Sequence, residues 1–297
     1  MLTVRAPAKV NLALEVLGKR ADGYHEIRSI IQTIDLCDTL EFAPADELRF
    51  DCTAEALRGP DNLVVRAVRL LAEAVGVKPA ARILLRKRIP WGMGLGGGSS
   101  DAAACLIGLN RLWRLDRSIG QLVELGLHLG SDVPFFLYGG TCLVEGRGER
   151  VIPIPESPQE WIVLAFPAAA DMPGKTKRMY EALRPADFSD GGRTQAVQRR
   201  LVDGGPVRPD MLVNAFEKAA RELFAGLSDV WREFEKISGG RVHLCGSGPA
   251  LFSLQATEAA AETVAGRLRS QGIEAVAVSL LGRKDAVPEQ GTAGGRP

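Results

Sequence analysis

Cysteine and histidine are scarce in this 297-residue chain, and their placement excludes several chemistries. The five cysteines, Cys37, Cys52, Cys105, Cys142 and Cys245, are scattered, odd in number and never in C-x-x-C spacing. That pattern points to reduced thiols in a cytoplasmic protein and away from a zinc site. His25, His128 and His243 lie far apart and supply no metal-ligand spacing. No apolar run reaches membrane-spanning length, and the first residues read as a strand rather than a signal peptide. Excess charge is also lacking: 37 Lys and Arg stand against 36 Asp and Glu. Bulk electrostatics therefore imply neither nucleic acid nor an anionic membrane as partner. There is no Gly-x-Ser-x-Gly elbow, since Gly246-Ser247-Gly248 lacks the outer spacing, although counting residues alone leaves a chymotrypsin-like triad open.

Glycine, by contrast, is concentrated. Five glycines fall within the seven residues Gly92–Gly98, in the stretch Pro90-Trp91-Gly92-Met93-Gly94-Leu95-Gly96-Gly97-Gly98-Ser99-Ser100-Asp101. Ala81–Ile89 before it alternates as a strand, and Leu106, Leu109, Leu112 and Trp113 after it recur at helical spacing. A strand, a glycine loop and a helix in this order bring backbone N–H groups close to a ligand, because no Cβ intervenes. The positive end of the helix suits a phosphate. Gly92-x-Gly94-x-x-Gly97 also fits the dinucleotide fingerprint, but the preceding strand carries Arg82, Arg86, Lys87 and Arg88, and Asp116 falls at a helix end. The buried parallel strand and following acidic strand end that the fingerprint requires are missing. A bare turn would need one or two glycines, not five.

The length allows two domains, and the 46% hydrophobic and 25% charged shares are those of a soluble globular protein. The proline-rich Pro153–Pro158 divides an N-terminal domain, 1–155, from a C-terminal one, 156–282, and a polar tail, 283–297, is expected to be disordered. Leu2–Ala6 and Asn11–Leu17 read as strands broken at Pro7, which puts Lys9 just after a rigid bend. Lys9 is then either an ordinary surface lysine or one aimed at a phosphate or a hydroxyl. Tyr24 and His25, in the polar turn around Gly23, are loop residues or a platform for a flat ring. Ile27–Leu36, Thr39–Ala43 and Leu48–Thr53 read as strands; Asp61–Val75 and Ser118–Leu129 read as helices. Asp132 precedes Val133-Pro134, where a helix cap is the simplest role and catalysis is compatible with it. Ala169-x-x-x-x-Gly174-Lys175-Thr176 imitates a Walker A loop but lacks its first glycine, and Pro173 removes a needed N–H. It is rejected as the nucleotide site, although Thr176 and Tyr180, one helical turn apart, can face a ligand. Gly191–Pro209 reads as mobile, Leu212–Ser238 as one helix, and Arg241–Gln255 as two strands around Cys245-Gly-Ser-Gly-Pro249.

Pro7–Leu12, Pro90–Ala104 and Leu244–Phe252 together resemble the GHMP small-molecule kinases, and the likeness runs from residue 2 to about residue 281. Arg20-Ala-Asp-Gly-Tyr-His25 and Leu129-Gly-Ser-Asp-Val-Pro-Phe135 resemble the branch that acts on 4-diphosphocytidyl-2-C-methyl-D-erythritol. The resemblance implies an α+β fold with an N-terminal half like ribosomal S5 domain 2 and a ferredoxin-like C-terminal half, with the active site in the cleft between them. It implies transfer of the ATP γ-phosphate to the 2-hydroxyl of that small-molecule substrate, with Mg²⁺, in the non-mevalonate isoprenoid route. Lys9 and Asp132 match the catalytic pair, Pro90–Ser100 the ATP loop, Gly246–Gly248 the turn that closes the phosphate end, and Asn11, Tyr24, His25 and Tyr180 the substrate contacts. Met93 stands where the loop usually has a small residue. Gly98 stands where mevalonate-type relatives have serine, so no magnesium ligand carries over.

Overall fold

A computed structural model describes residues 1–158, 161–168 and 172–287. The chain begins with two long strands, β1 (Leu2–Lys19) and β2 (His25–Ala43), followed by β3 (Leu48–Cys52), α1 (Leu63–Val75) and β4 (Ala81–Arg86). Next come α2 (Gly97–Leu112), α3 (Ile119–Leu127), α4 (Val133–Tyr138), β5 (Thr141–Gly146) and β6 (Arg150–Pro153). The second half holds β7 (Trp161–Phe166), α5 (Lys175–Glu181), α6 (Gly192–Val202), β8 (Val213–Asn214), α7 (Glu217–Leu223) and α8 (Leu227–Ser238). It ends with β9 (His243–Leu244), β10 (Leu251–Gln255), α9 (Glu258–Ser270), β11 (Glu274–Ser279) and α10 (Arg283–Ala286).

These elements form two sheets of an α+β fold. The larger runs β3-β4-β2-β1-β8, with β5 and β6 also joined through β2; the smaller runs β11-β7-β10-β9. Helices α1 to α4 cover one face of the larger sheet around Phe42, Leu71, Leu106 and Phe135, all almost fully buried. The opposite face meets the smaller sheet through Leu12, Ile34, Leu164 and Phe252. The far face of the smaller sheet is closed by α7, α8 and α9 around Trp231, Phe234 and Leu268. β1 therefore has protein on both faces, which is why the polar Lys9, Asn11 and Glu15 on it are buried.

Several local expectations are corrected. β1 does not break at Pro7: the pairing with β2 shifts register between Pro7 and Ala8, and a bulge accommodates the proline without a ladder N–H. Lys9 thus lies within a strand rather than after a bend. β2 likewise runs unbroken where two strands were expected. β4 stops at Arg86, short of Ile89, because the Asp38 carboxylate accepts the N–H groups of Arg88 (2.5 Å) and Ile89 (2.9 Å) in place of a strand partner. Gly191–Pro209, expected to be mobile, contains α6, which buries Thr194, Val197 and Leu201, one turn apart. The expected helix 212–238 is divided at Gly226, whose φ is +76°. Arg283–Ala286, expected to open a disordered tail, form a helix; a Cβ on Gly140 would meet Arg283 backbone at 3.0 Å, so the packing is close. Residues 288–297 lie outside the described residues. Among the described residues no helix is long and apolar enough to cross a membrane.

Candidate active site

Lys9 and Asn11 alternate onto one face of β1, and the Lys9 ammonium donates to Asn11 Oδ1 at 2.7 Å. Asn11 is fixed in turn: its Nδ2 donates to Ser29 Oγ at 2.9 Å, and Ser29 donates to the Ala13 carbonyl at 2.6 Å. Burial pushes the Lys9 pKa down, opposed by the charge of Asp132. The bond to Asn11 fixes the direction of this ammonium. Asp132 occupies the N-cap position of α4, with Pro134 in the first turn, yet its side chain makes no capping bond. The carboxylate is left free to face Lys9. Lys9, Asn11, Asp132, Tyr180 and Gly246 line one cavity of about 230 Å³.

Two glycine turns close over this cavity. Gly92, Gly94 and Gly96 have φ of +76°, +85° and +73°. Gly96 is the N-cap of α2, so the helix starts inside the glycine run, at Gly97. The Lys9 N–H donates to the Leu95 carbonyl at 3.0 Å, and Ser100 Oγ donates to the Pro7 carbonyl at 2.7 Å, which fastens the loop to β1. Across the cleft, Ala250 N–H donates to the Met93 carbonyl at 3.2 Å. A Cβ at Gly94 would stand 2.0 Å from the Cys245 carbonyl oxygen, and one at Gly246 would stand 2.7 Å from Lys9 Nζ. Both turns need glycine for this approach. Outside the loop, Pro90 to Gly98 border a further pocket of about 270 Å³ with Leu63, Asn62, Lys87 and Asp101. Trp91 is 60% exposed at its rim. Ser99 lies in the first turn of α2, where a Cβ on Gly130 would lie 3.9 Å from its hydroxyl.

Tyr24, His25 and Tyr180 share a larger cavity of about 930 Å³ that reaches Asp132, and Arg147 lines it too. His25 and Tyr180 stack on each other at 4.9 Å with planes 18° apart, so no ring fits between those two. Tyr24 is exposed and carries the Arg147 guanidinium over its ring at 5.1 Å. Tyr180 also meets Phe216 edge-on at 4.8 Å. Burial pushes its phenol pKa up and that of His25 down, so both rings are neutral near pH 7.

Three features escaped sequence reasoning. Lys175 arrives from α5 at the two turns: its ammonium donates to the Gly92 carbonyl at 2.5 Å and also to the Gly248 carbonyl. The Walker-like spacing singled this lysine out only as part of a motif rejected as the nucleotide site. Ala169 of that motif lies outside the described residues. Lys87 bridges the carboxylates of Asp38 and, at 2.7 Å, Asp101 behind the glycine loop, all three almost fully buried. Arg147, in the turn Gly146-Arg147-Gly148-Glu149, gave no signal of its own.

The comparisons agree with one another. Residues 62–140 match the GHMP kinases N terminal domain, and residues 199–274 match the GHMP kinases C terminal domain. A 4-diphosphocytidyl-2-C-methyl-D-erythritol kinase of Dehalococcoides mccartyi (strain CBDB1) is 44% identical over 286 residues, covering 96% of this chain and 100% of the relative. One from Geobacillus sp. (strain WCH70) is 35% identical over 292 residues, covering 96% and 99%. The crystal structure of a 4-(cytidine 5'-diphospho)-2C-methyl-D-erythritol kinase superposes with a TM-score of 0.81 at 38% identity, covering 95% of this chain and 100% of that one.

Proposed function

Because the chain belongs to the GHMP kinases, in the 4-diphosphocytidyl-2-C-methyl-D-erythritol kinase family, we propose that it transfers the γ-phosphate of ATP to the 2-hydroxyl of 4-diphosphocytidyl-2-C-methyl-D-erythritol. The step belongs to the non-mevalonate route to isoprenoid precursors. The observation that carries the reading is that Lys9 and Asp132 face one cavity beneath two glycine turns, and that this cavity adjoins an aromatic one at Asp132. In this arrangement Asp132 accepts the proton of the attacking hydroxyl. Lys9, oriented by Asn11, holds the hydroxyl oxygen and stabilises negative charge on it. Phosphoryl transfer needs little else, since positioning and charge stabilisation supply most of the rate.

The glycine loop, from Pro90 to Ser100, wraps the phosphates, and the pocket bounded by Asn62, Leu63 and Trp91 receives the purine. The larger cavity receives the cytidine diphosphate, with Tyr24 as the stacking face, His25 as a hydrogen-bonding edge and Tyr180 packed behind His25. Among the described residues, no group of three or more His, Cys, Asp or Glu is placed to hold a metal. The oxygen-bearing side chains of the cavity are Asp132, Asn11, Thr176, Ser247 and Tyr180, of which Asp132 alone is a carboxylate, so Mg²⁺ fits as an ion held mainly by ATP phosphates and water. Its chemistry there is neutralisation of phosphate charge. A cytoplasmic location suits the five free, buried thiols. We take 1–155 and 156–282 as the two lobes of the cleft.

The test is ADP release with ATP, Mg²⁺ and the cytidine substrate, for the native chain and Asp132→Asn. Native turnover is expected, with a fall of about a hundredfold or more in the variant. Release of ADP with homoserine or mevalonate in its place would overturn the substrate.

A further inference from the structure

Of the two lysines that line the Asp132 cavity, Lys175 is the one to which this mechanism gives no task. It opens α5, and its neighbour Thr176 lies 3.3 Å from Ser247, so the start of this helix is tied to the second glycine turn. Its ammonium spans both turns, donating to Gly92 on one and Gly248 on the other. An ammonium has three donors, so one is left for a ligand.

The charge of the cavity points to what that ligand is. The ionisable groups lining it are Lys9, Lys175, Asp132 and Tyr180, whose phenol burial keeps neutral, with the Cys245 thiol close behind. Burial pushes that thiol up to about 12, so it stays neutral at pH 7. Two lysines therefore face one carboxylate in a desolvated space; burial disfavours the charge of both, and Lys9 further disfavours that of Lys175. Such an excess of positive charge is stable where a multiply charged anion neutralises it. The two turns that Lys175 joins line the same space, through Gly94 and Gly96 on one and Gly246 and Ser247 on the other.

Resting on the ATP-dependent reading above, we propose that Lys175 is the second phosphate-binding cation of this site: its ammonium contacts the phosphate chain of ATP where that chain passes between the two glycine turns, while Lys9 serves the acceptor hydroxyl. In the free protein Lys175 holds the turns together through their carbonyls, which sets the gap that the phosphates enter. The two lysines thereby have separate tasks, one at the phosphate chain and one at the acceptor hydroxyl.

The experiment compares the full chain with Lys175→Met and Lys175→Arg, reading calorimetric affinities for ATP and for adenosine, thermal unfolding, and kcat and KM for ATP. Lys175→Met is expected to lose roughly ten- to a hundredfold in ATP affinity, the scale of one charge-assisted hydrogen bond, with adenosine affinity unchanged. Lys175→Arg, which keeps the charge, is expected to recover part of that loss. Unchanged ATP affinity in Lys175→Met would overturn the proposal. Equal losses toward ATP and adenosine, with a lowered unfolding temperature, would also overturn it, because they would make the lysine a clamp of the fold alone. The binding comparison needs no acceptor, so failure of the native chain to phosphorylate the cytidine substrate would sink that assignment separately.

Discussion

Replacing Gly94 with alanine tests whether the two glycine turns are in forced contact. Gly94 has φ +85°, and its added Cβ would meet the Cys245 carbonyl oxygen at 2.0 Å and the Gly248 nitrogen at 2.8 Å. Both obstacles are backbone, and neither can swing aside as a side chain would. The left-handed conformation alone costs an alanine about 1–2 kcal/mol. Forcing an extra carbon into packed structure adds about 1–3 kcal/mol, because one turn must retreat. Gly92 provides the control. Its φ is +76°, but a Cβ there meets nothing within 4 Å. Gly92→Ala should therefore cost only the conformational share, about 1–2 kcal/mol, and Gly94→Ala about 2–5 kcal/mol. Urea unfolding monitored by tryptophan fluorescence measures both. The retreat should also break the Ala250-to-Met93 bond and the Lys175 bridge, so ATP affinity should fall further in Gly94→Ala than in Gly92→Ala. Equal destabilisation of the two variants would refute the close approach.

Two other measurements follow from buried charge. Lys87→Met strips the cation from Asp38 and Asp101, and should cost about 3–5 kcal/mol in urea unfolding; adding Asp101→Asn should restore part of it, and no loss in the single variant would count against the network. Burial and the nearby Lys9 bring the Lys175 pKa down to about 8 from 10.5, so its proton is lost in the folded chain before the unfolded one. Between those values the unfolded chain binds more protons, and the contribution of this residue makes stability rise with pH. Over the same approach to pH 8 and above, kcat/KM for ATP should decline in the native chain, and this limb should vanish in Lys175→Arg, whose guanidinium stays charged. A persistent limb in Lys175→Arg would assign it to another group.

The glycine loop was legible because the need for positive φ at Gly92, Gly94 and Gly96 is written in residue type. The adjoining strand and helix were legible from periodicity. The unbroken course of β1 was not, because Pro7 signals a break wherever no partner strand is known, and only the register shift against β2 makes it harmless. α6 was hidden by its glycines and arginines, since Val197 and Leu201 become an apolar stripe only once β1 lies beneath them. For the candidate site, Lys9 and Asp132 stood out through their local sequence. Lys175 did not, because its importance lies in carbonyls 83 and 73 positions away, and no spacing rule reaches that far. Asp38 and Lys87 were silent for the same reason.

The parallel pairing of β1 with β8 has a consequence for biosynthesis. Ala13 aligns with Val213, and Asn214 donates its side-chain N–H groups to the Leu244 carbonyl at 3.0 Å and the Gly246 carbonyl at 2.8 Å. The strand bearing Lys9 leaves the ribosome well before β8, so its edge stays open until residue 213 follows, and the turn above Lys9 is pinned only after residue 246. Contacts this distant in sequence form late. A nascent or truncated chain can build β1 to β6 with their helices and still own no closed phosphate cleft. Nucleotide can thus reward only a chain that has passed residue 246, and one cut short before it would be left with Lys9 and no turn above it.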